Sequence, residues 1–539
     1  MRSFSFSLSL NQVLPVALIM SSALMLSACV ENKSANSNHS KKDAQAKVVD
    51  TLIINGTVYN GMDVEAQAMD IAICANEICG IYPSGKHNTQ AKNTINAQGK
   101  IVSPGFIDPH THTLEELYSK DKNSNLNYLT QGVTTVVNGN DGEGPVDVAK
   151  TARELEANGI GTNVALLVGH GSIREQVMGR EQRYASAEEL KQMSTLLTQA
   201  MEAGALGLST GLYYVPGSFA NTEEVVTLAK IASKYNGIYD THLRDESTFN
   251  IGFIAALEEA IHIADAADIH LHLAHIKALG VDVWGKSDIA IEKINQAQVK
   301  GTSISADQYP WLASGTKLRS AVMPKWAMAD SQQAFHQRLN DASLAVKLRA
   351  EIQENIRRRG GPKSLLITAF KIPELVGLNL AEVAERRQQD AVTTAMELVQ
   401  EGEVRVASFN MSPTDVETFM VQPWVVTSSD GTNGHPRKFA SFPQKYQQYV
   451  KQKALLTTGE FIKKSSGQTA EILGLKDRGL LQKGYQADII IFDAENFSAN
   501  ADFSTWNKYS SGVEQVWING QHVIQNGRYQ KQLAGQFVH

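Results

Sequence analysis

The sequence predicts an α/β chain organised as a (β/α)8 TIM-type barrel, with a small β-sandwich built from both chain ends and a subdomain inserted before the last barrel strand. Three observations predict this. Eight short β-runs alternate with helical stretches through the middle of the chain. Strand-only patterns with Asn-Gly turns stand at both ends. One connection, before the eighth run, is far too long for a βα loop.

Each element follows in chain order. Arg2 is the only charge before Cys29, and an apolar run from about Val13 ends in Leu26-Ser27-Ala28-Cys29. That run is too short to span a bilayer and has small residues at its end, as a secretory signal does. Its last four residues resemble a bacterial lipobox. The resemblance implies that residues 1–28 are a lipoprotein signal peptide and that Cys29 is the lipidated first residue. Residues 29–47 are polar and aperiodic, and read as a flexible tether. The expectation is an exported lipoprotein, membrane-anchored through Cys29 on the periplasmic face; Val30 rather than Asp after Cys29 fits outer-membrane sorting.

Residues 48–103 and 483–539 carry the strand patterns that predict the sandwich. Cys74 and Cys79 lie in the first of them. A turn at Asn76-Glu77 would set the two opposite each other, and an oxidising compartment would then allow a disulfide. Left reduced, they are two small apolar strand residues. Between the terminal segments, residues 104–482 hold the predicted barrel. Its β-runs are 101–111, 134–139, 163–169, 207–210, 237–242, 269–275, 301–308 and 424–430. Helical patterns lie between them, clearest at 187–203 and 221–234. Residues 312–422 are the predicted insertion, a cap over the barrel mouth with helices near 332–355 and 380–401.

The chain has 539 residues, a formal net charge of −6, 42% hydrophobic and 20% charged residues. At roughly 100–200 residues per domain, this is two to four domains with ample material for a core. Mild acidity, with no basic run, argues against a nucleic-acid binder.

Catalytic side chains of such barrels sit at the C-terminal strand ends. Here those ends carry His110 and His112, Asp141, His242, His275 and Asp430. Residues i and i+2 of a strand share a face, so His-Thr-His aims both imidazoles inward. Histidines and carboxylates converging at one mouth suit a divalent metal such as Zn2+. His262, His270 and His272 read instead as helix or alternate strand faces.

Ser103-Pro-Gly-Phe-Ile-Asp-Pro-His-Thr-His112 resembles the opening motif of the amidohydrolase superfamily. Further pieces resemble the D-aminoacylases, or N-acyl-D-amino-acid deacylases. They are Gln131-Gly-Val-Thr-Thr-Val-Val-Asn-Gly-Asn140, Gly204-Ala-Leu-Gly-Leu-Ser-Thr-Gly-Leu-Tyr-Tyr-Val-Pro-Gly217, Thr241-His-Leu-Arg-Asp-Glu246, Ser429-Asp-Gly431, His435-Pro-Arg437 and Asp477-Arg-Gly479. The likeness runs from about residue 50 to the chain end. There is one departure: the family usually has Cys where this chain has Asp141. A carboxylate can bridge two ions as a thiolate does, but it is the harder ligand.

The resemblance implies one or two zinc ions, or another divalent metal. His242, His275 and Asp141 would hold the tighter ion; His110, His112 and Asp430 would form or share a second site. It implies hydrolysis of a small-molecule N-acyl-D-amino acid, with Asp430 as general base and then acid. Tyr214 would donate to the carbonyl oxygen, while Lys277 and Tyr309 would hold the α-carboxylate with weaker help from Arg437. Arg244 would pair locally with Asp245 or Glu246. Two alternatives stand beside this: a dipeptidase or dihydroorotase-like cyclic amidase of the same superfamily, and a catalytically silent surface binding protein.

Overall fold

The computed structural model describes residues 48–539. The expected signal peptide, Cys29 and the tether lie outside the described residues. The chain adopts an α/β fold. Parallel strands run Phe106–Thr111, Val133–Asn138, Asn163–Leu166 continued by Val168–Gly169, Gly207–Gly211, Ile238–His242, His270–Leu273, Ile304–Gln308 and Val425–Thr427. They pair in chain order. A parallel bridge between Thr111 and Gly431 ties the last strand's exit to the first strand. Both faces of most of these strands are buried, and Val133–Asn138, Asn163–Leu166 and Val425–Thr427 accordingly carry apolar or β-branched residues at most positions. The helices between them begin where the sequence offers caps. Ser186 and Glu189 form a capping box for Ala187–Glu202, and Asn221 caps Thr222–Lys234.

The single expected run 101–111 is two strands. Ile101–Pro104 pairs antiparallel with Ile489–Phe492, whereas Phe106–Thr111 pairs parallel with Val133–Asn138. The break falls at Gly105, where a Cβ would come within 2.1 Å of the Thr134 hydroxyl. Bare backbone is needed where the chain passes from one sheet to another. The terminal segments form two sheets. One has four strands, Glu77–Pro83, Met69–Cys74, Val48–Ile54 and Gln90–Asn96. The other has six, Thr57–Val58, Ile101–Pro104, Ile489–Phe492, Val513–Ile518, Gln521–Gln525 and Arg528–Tyr529. Ile53, Ile71 and Ile73 of the first sheet and Val102, Ile489, Ile491 and Trp517 of the second share one core. The chain end then returns to the parallel strands, where Phe537 bridges Val164.

Cys74 and Cys79 form a disulfide, with Cα atoms 5.6 Å apart. The turn lies at Ala75-Asn76 and not at Asn76-Glu77: Cys74 pairs with Glu77, and Cys79 is the extra residue of a bulge beside the Ile73–Ile78 pair. The bulge lifts Cys79 out of the ladder and toward Cys74. The 312–422 segment is not purely helical. It also holds an antiparallel sheet of Ala313–Lys317, Arg405–Phe409 and Leu365–Ala369. Its apolar residues, among them Leu318, Leu348, Ile352, Val383 and Val406, form a core of their own. The long helical patterns divide into Gln332–Leu339 with Ala345–Arg358, and Leu380–Arg387 with Ala391–Glu401. Asp390 caps the last of these by accepting from the Val392 and Thr393 amides.

Candidate active site

The six residues singled out at strand ends converge. His110 lies on the first parallel strand and His112 one residue past it. Asp141 stands in the loop after the second strand, where Gly139 has φ 98° and a Cβ would meet the Leu167 carbonyl at 2.2 Å. His242 ends its strand, while His275 and Asp430 sit just past theirs. Asp141, His275 and Asp430 have φ values of 59°, 36° and 47°. Each such residue costs of order 1 kcal/mol, and strain of this kind gathers at functional sites.

Asp141 is the meeting point of two groups of candidate metal ligands, His110–His112–Asp141–Asp430 and Asp141–His242–His275. Its Oδ1 lies 3.6 Å from His110, 3.4 Å from His242 and 3.2 Å from His275, and its Oδ2 lies 3.6 Å from His112. Asp430 Oδ1 is 3.3 Å from His112 and 3.7 Å from His110. His242 Nδ1 and His275 Nε2 face each other at 2.8 Å. The buried ring nitrogens of His110 and Oδ1 of Asp141 have no hydrogen-bond partner. His110 Nε2 and Asp141 Oδ1 face each other, an orphaned pair that fits a shared cation. The electrostatics agree. Burial works against charge on His112 and His275, yet Asp141 with Asp430 or Glu246 outweighs it and pushes them up to about 9 and about 10. The carboxylates thus draw positive charge into this volume, and a divalent ion would take the place of those protons.

Around this cluster lies a cavity of about 480 Å3. Tyr214 lines it, with its ring 4.7 Å from the His242 ring. Burial, then Asp141 and Asp430, hold its phenol well above the ordinary value, so it remains a hydrogen-bond donor. Lys277 lines it too, but its ammonium already contacts Glu246 at 2.6 Å and His275 Nδ1 at 2.8 Å. The buried Tyr309 hydroxyl has no partner. Arg437 lies over the Tyr309 ring at 4.7 Å and reaches Asp430 Oδ2 at 2.6 Å. Burial opposes ionisation of Asp430, but Arg437 and His110 hold its carboxyl well below the usual range.

The placement of Arg244 differs from the sequence expectation. Arg244 does not pair with its chain neighbours: it grips Glu259 at 2.7 and 2.9 Å, as Asp245 is occupied by the Ser247, Asn250 and Gly252 amides. His272 lies on the strand His270–Leu273. It is buried beside Asp307 at 3.0 Å and joins Asp240 in a third group. Asp307 also accepts from the His275 amide and approaches His110 Nδ1 at 3.7 Å. Asp307 and Glu246 were missed. Asp307 shares a strand face with Tyr309, which was an available signal; Glu246 closes the Thr241–Glu246 motif, but its approach to both histidines comes from a loop and is not set by strand spacing.

The chain matches the model of the amidohydrolase family over residues 93–347 and 373–524. It is 29% identical to the D-aminoacylase of Alcaligenes xylosoxydans xylosoxydans, covering 93% of this chain and 99% of that one. It is 30% identical to the N-acyl-D-glutamate deacylase of the same organism, covering 88% and 93%. A solved D-aminoacylase structure superposes with a TM-score of 0.78 at 27% identity, over 91% of this chain and 99% of that chain. The N-acyl-D-glutamate deacylase of Bordetella bronchiseptica, solved with zinc and a phosphonate mimic of the tetrahedral intermediate, gives 0.77 at 27%, over 91% and 100%. With its strand-end histidines and carboxylates gathered as described, this chain belongs to the amidohydrolase family.

Proposed function

We propose that this protein is a zinc-dependent deacylase of N-acyl-D-amino acids, hydrolysing the amide to a carboxylate and a free D-amino acid. The observation that carries the reading is Asp141, one carboxylate shared by two groups of candidate ligands and lining the same cavity as Tyr214. Relatives named for this activity, alike over nearly the whole chain, support it. In this reading the parallel strands are a (β/α)8 barrel over residues 104–482 and the terminal sheets are a β-sandwich. Residues 312–422 are the capping subdomain.

His242, His275 and Asp141 would hold one ion; His110, His112 and Asp430 would hold or share another. A bound divalent ion supplies a water of near-neutral pKa and polarises the amide carbonyl. Asp430, kept ionised by Arg437, accepts the proton of the attacking water and passes it to the leaving amine. The Tyr214 hydroxyl donates to the carbonyl oxygen as negative charge develops there. Lys277 and the unpartnered Tyr309 hydroxyl hold the α-carboxylate. Arg437, stacked on Tyr309, couples that contact to Asp430. Glu246 holds Lys277 in place. The protein acts as a periplasmic lipoprotein anchored through Cys29; the apolar run ending in Leu26-Ser27-Ala28-Cys29 supports this.

The test is amine release by the zinc-loaded full-length protein from matched N-acetyl-D- and N-acetyl-L-amino acids. Hydrolysis of the D series alone is expected, falling about 100- to 10,000-fold in Asp430→Asn. Turnover of L substrates, or of cyclic amides and dipeptides in place of both, would overturn the reading.

A further inference from the structure

The insertion brings to the cavity cations that have no carboxylate partner among the described residues. Arg359 caps the C-terminus of helix Ala345–Arg358 and is 3% exposed. Its Nε donates to the Ala321 carbonyl at 2.9 Å, and its terminal nitrogens reach only the Ser408 and Tyr213 hydroxyls at 3.5 and 3.4 Å. With the Asn410 amide turned over, the amide oxygen accepts from Arg359 at 3.2 Å. All of these partners are neutral. Lys325 lies 3.4 Å from the Tyr213 ring centroid and donates only to the Ser320 carbonyl, at 3.4 Å. Among the described residues neither cation is paired with an Asp or Glu. Lys325 feels the charge of Asp245, but the oxygens of that carboxylate are already taken by three backbone amides.

Arg359 is buried and Lys325 half-buried, and a guanidinium out of water without a counter-ion is costly to hold. Salt bridges elsewhere in the chain show that arginines here are ordinarily matched, as Arg244 is with Glu259 and Arg174 with Glu224. Lys325, Arg359 and Tyr213 all line the cavity that holds the metal-ligand cluster. Tyr213 precedes Tyr214, and its ring lies 5.7 Å from the His242 ring. Through Tyr213 the unmatched charge adjoins the His242 side of the cavity. It is carried by the insertion and the loop after Gly207–Gly211, whereas the groups assigned to the α-carboxylate, Lys277 and Tyr309, follow other strands.

We propose that Lys325, Arg359 and Tyr213 form an anion subsite for the side-chain carboxylate of the substrate, so that the preferred substrates are N-acyl derivatives of acidic D-amino acids. The proposal rests on the deacylase reading above. Tyr213 supports it: its ring and hydroxyl lie against both cations, and although burial opposes ionisation, Lys325 and Arg359 hold the phenol below its ordinary value. The substrate carboxylate supplies the missing negative charge, with guanidinium and ammonium donating to its oxygens.

The experiment compares kcat/KM of the zinc-loaded full-length protein on N-acetyl-D-glutamate and N-acetyl-D-aspartate with their near-isosteric amides, N-acetyl-D-glutamine and N-acetyl-D-asparagine. An acid-over-amide ratio of about 100-fold is expected in the parent, since an amide leaves the cations unmatched. In Arg359→Met and Lys325→Met that ratio falls toward one, and in Arg359→Lys, which keeps the charge and guards against loss of folding, most of it survives. Amides cleaved as well as acids by the parent would overturn the proposal while leaving the deacylase reading intact. So would an equal loss on all four substrates in both Met variants, which would place these cations on the α-carboxylate. No turnover of any D substrate would overturn both.

Discussion

Replacing Asp141 with Asn removes one negative charge from the point where the two ligand groups meet and little else. Asn keeps the side-chain size and, like Asp, tolerates the left-handed backbone at this position, φ 59°. The carboxylate stands 3.2 to 3.6 Å from nitrogens of four histidines. At such separations a unit charge interacts by roughly 5 kcal/mol at an effective dielectric near 20. An amide oxygen that can still coordinate returns part of this. Removing a group that merely hydrogen-bonds a metal ligand already costs about 10- to 100-fold in affinity. The expected loss at Asp141 is therefore about 100-fold or more, roughly 3 kcal/mol. The assay is competition for zinc with a chromophoric chelator, together with zinc per chain after dialysis. Because Asp141 belongs to both groups, total bound zinc falls as well as affinity. A variant that keeps the parent's zinc content and competes within threefold of it would refute the shared-ligand argument.

Two further outcomes follow from the fold around the site. Gly139→Ala puts a methyl group 2.2 Å from the Leu167 carbonyl at a φ of 98°, so it should cost about 3 kcal/mol or more and lower the thermal midpoint by several degrees; an unchanged midpoint would contradict the close approach. Glu224, 3% exposed, is bound by His170 at 2.8 Å and Arg174 at 2.6 Å; burial pushes its carboxyl up, but these two partners outweigh burial and hold it below the ordinary value. A depressed carboxyl stabilises the fold above the unfolded-state pKa and loses that contribution as pH falls through the folded-state value. Glu224→Gln should therefore cost about 3–5 kcal/mol near neutral pH, by stranding Arg174. The gap to the parent should narrow in urea melts below about pH 4.5, near the ordinary value for Glu, and a gap constant down to pH 3.5 would refute it.

Much of the arrangement was legible in the chain because strand geometry is periodic. His110 and His112 share a face through the alternation of a single strand, and this needs no knowledge of neighbours. The parallel strands announced themselves as short apolar runs between capped helical patterns, and His242, His275 and Asp430 were readable as polar residues where such runs stop. The short strands of the insertion were not legible, since five-residue strands such as Arg405–Phe409 are too brief to show a period among helices. Nor was the register at Cys74 and Cys79, which a one-residue bulge decides.

What the sequence by itself determined is the class of chemistry: histidines and carboxylates at strand ends, in an order and spacing that an α/β amidohydrolase uses. What only the tertiary structure decided is the pairing of charges across long chain separations. Glu246 settles on Lys277, Arg437 on Asp430 and Arg244 on Glu259, while Arg359 and Lys325 form no ion pair with an acid among the described residues. The physical reason is one of range. Side-chain direction along a strand or helix is set by local backbone geometry and repeats with a short period, whereas a charge acts on whatever the fold places within a few ångströms of it, and segments as far apart as the loop after Gly207–Gly211 and the end of helix Ala345–Arg358 meet only after the insertion has folded against the site.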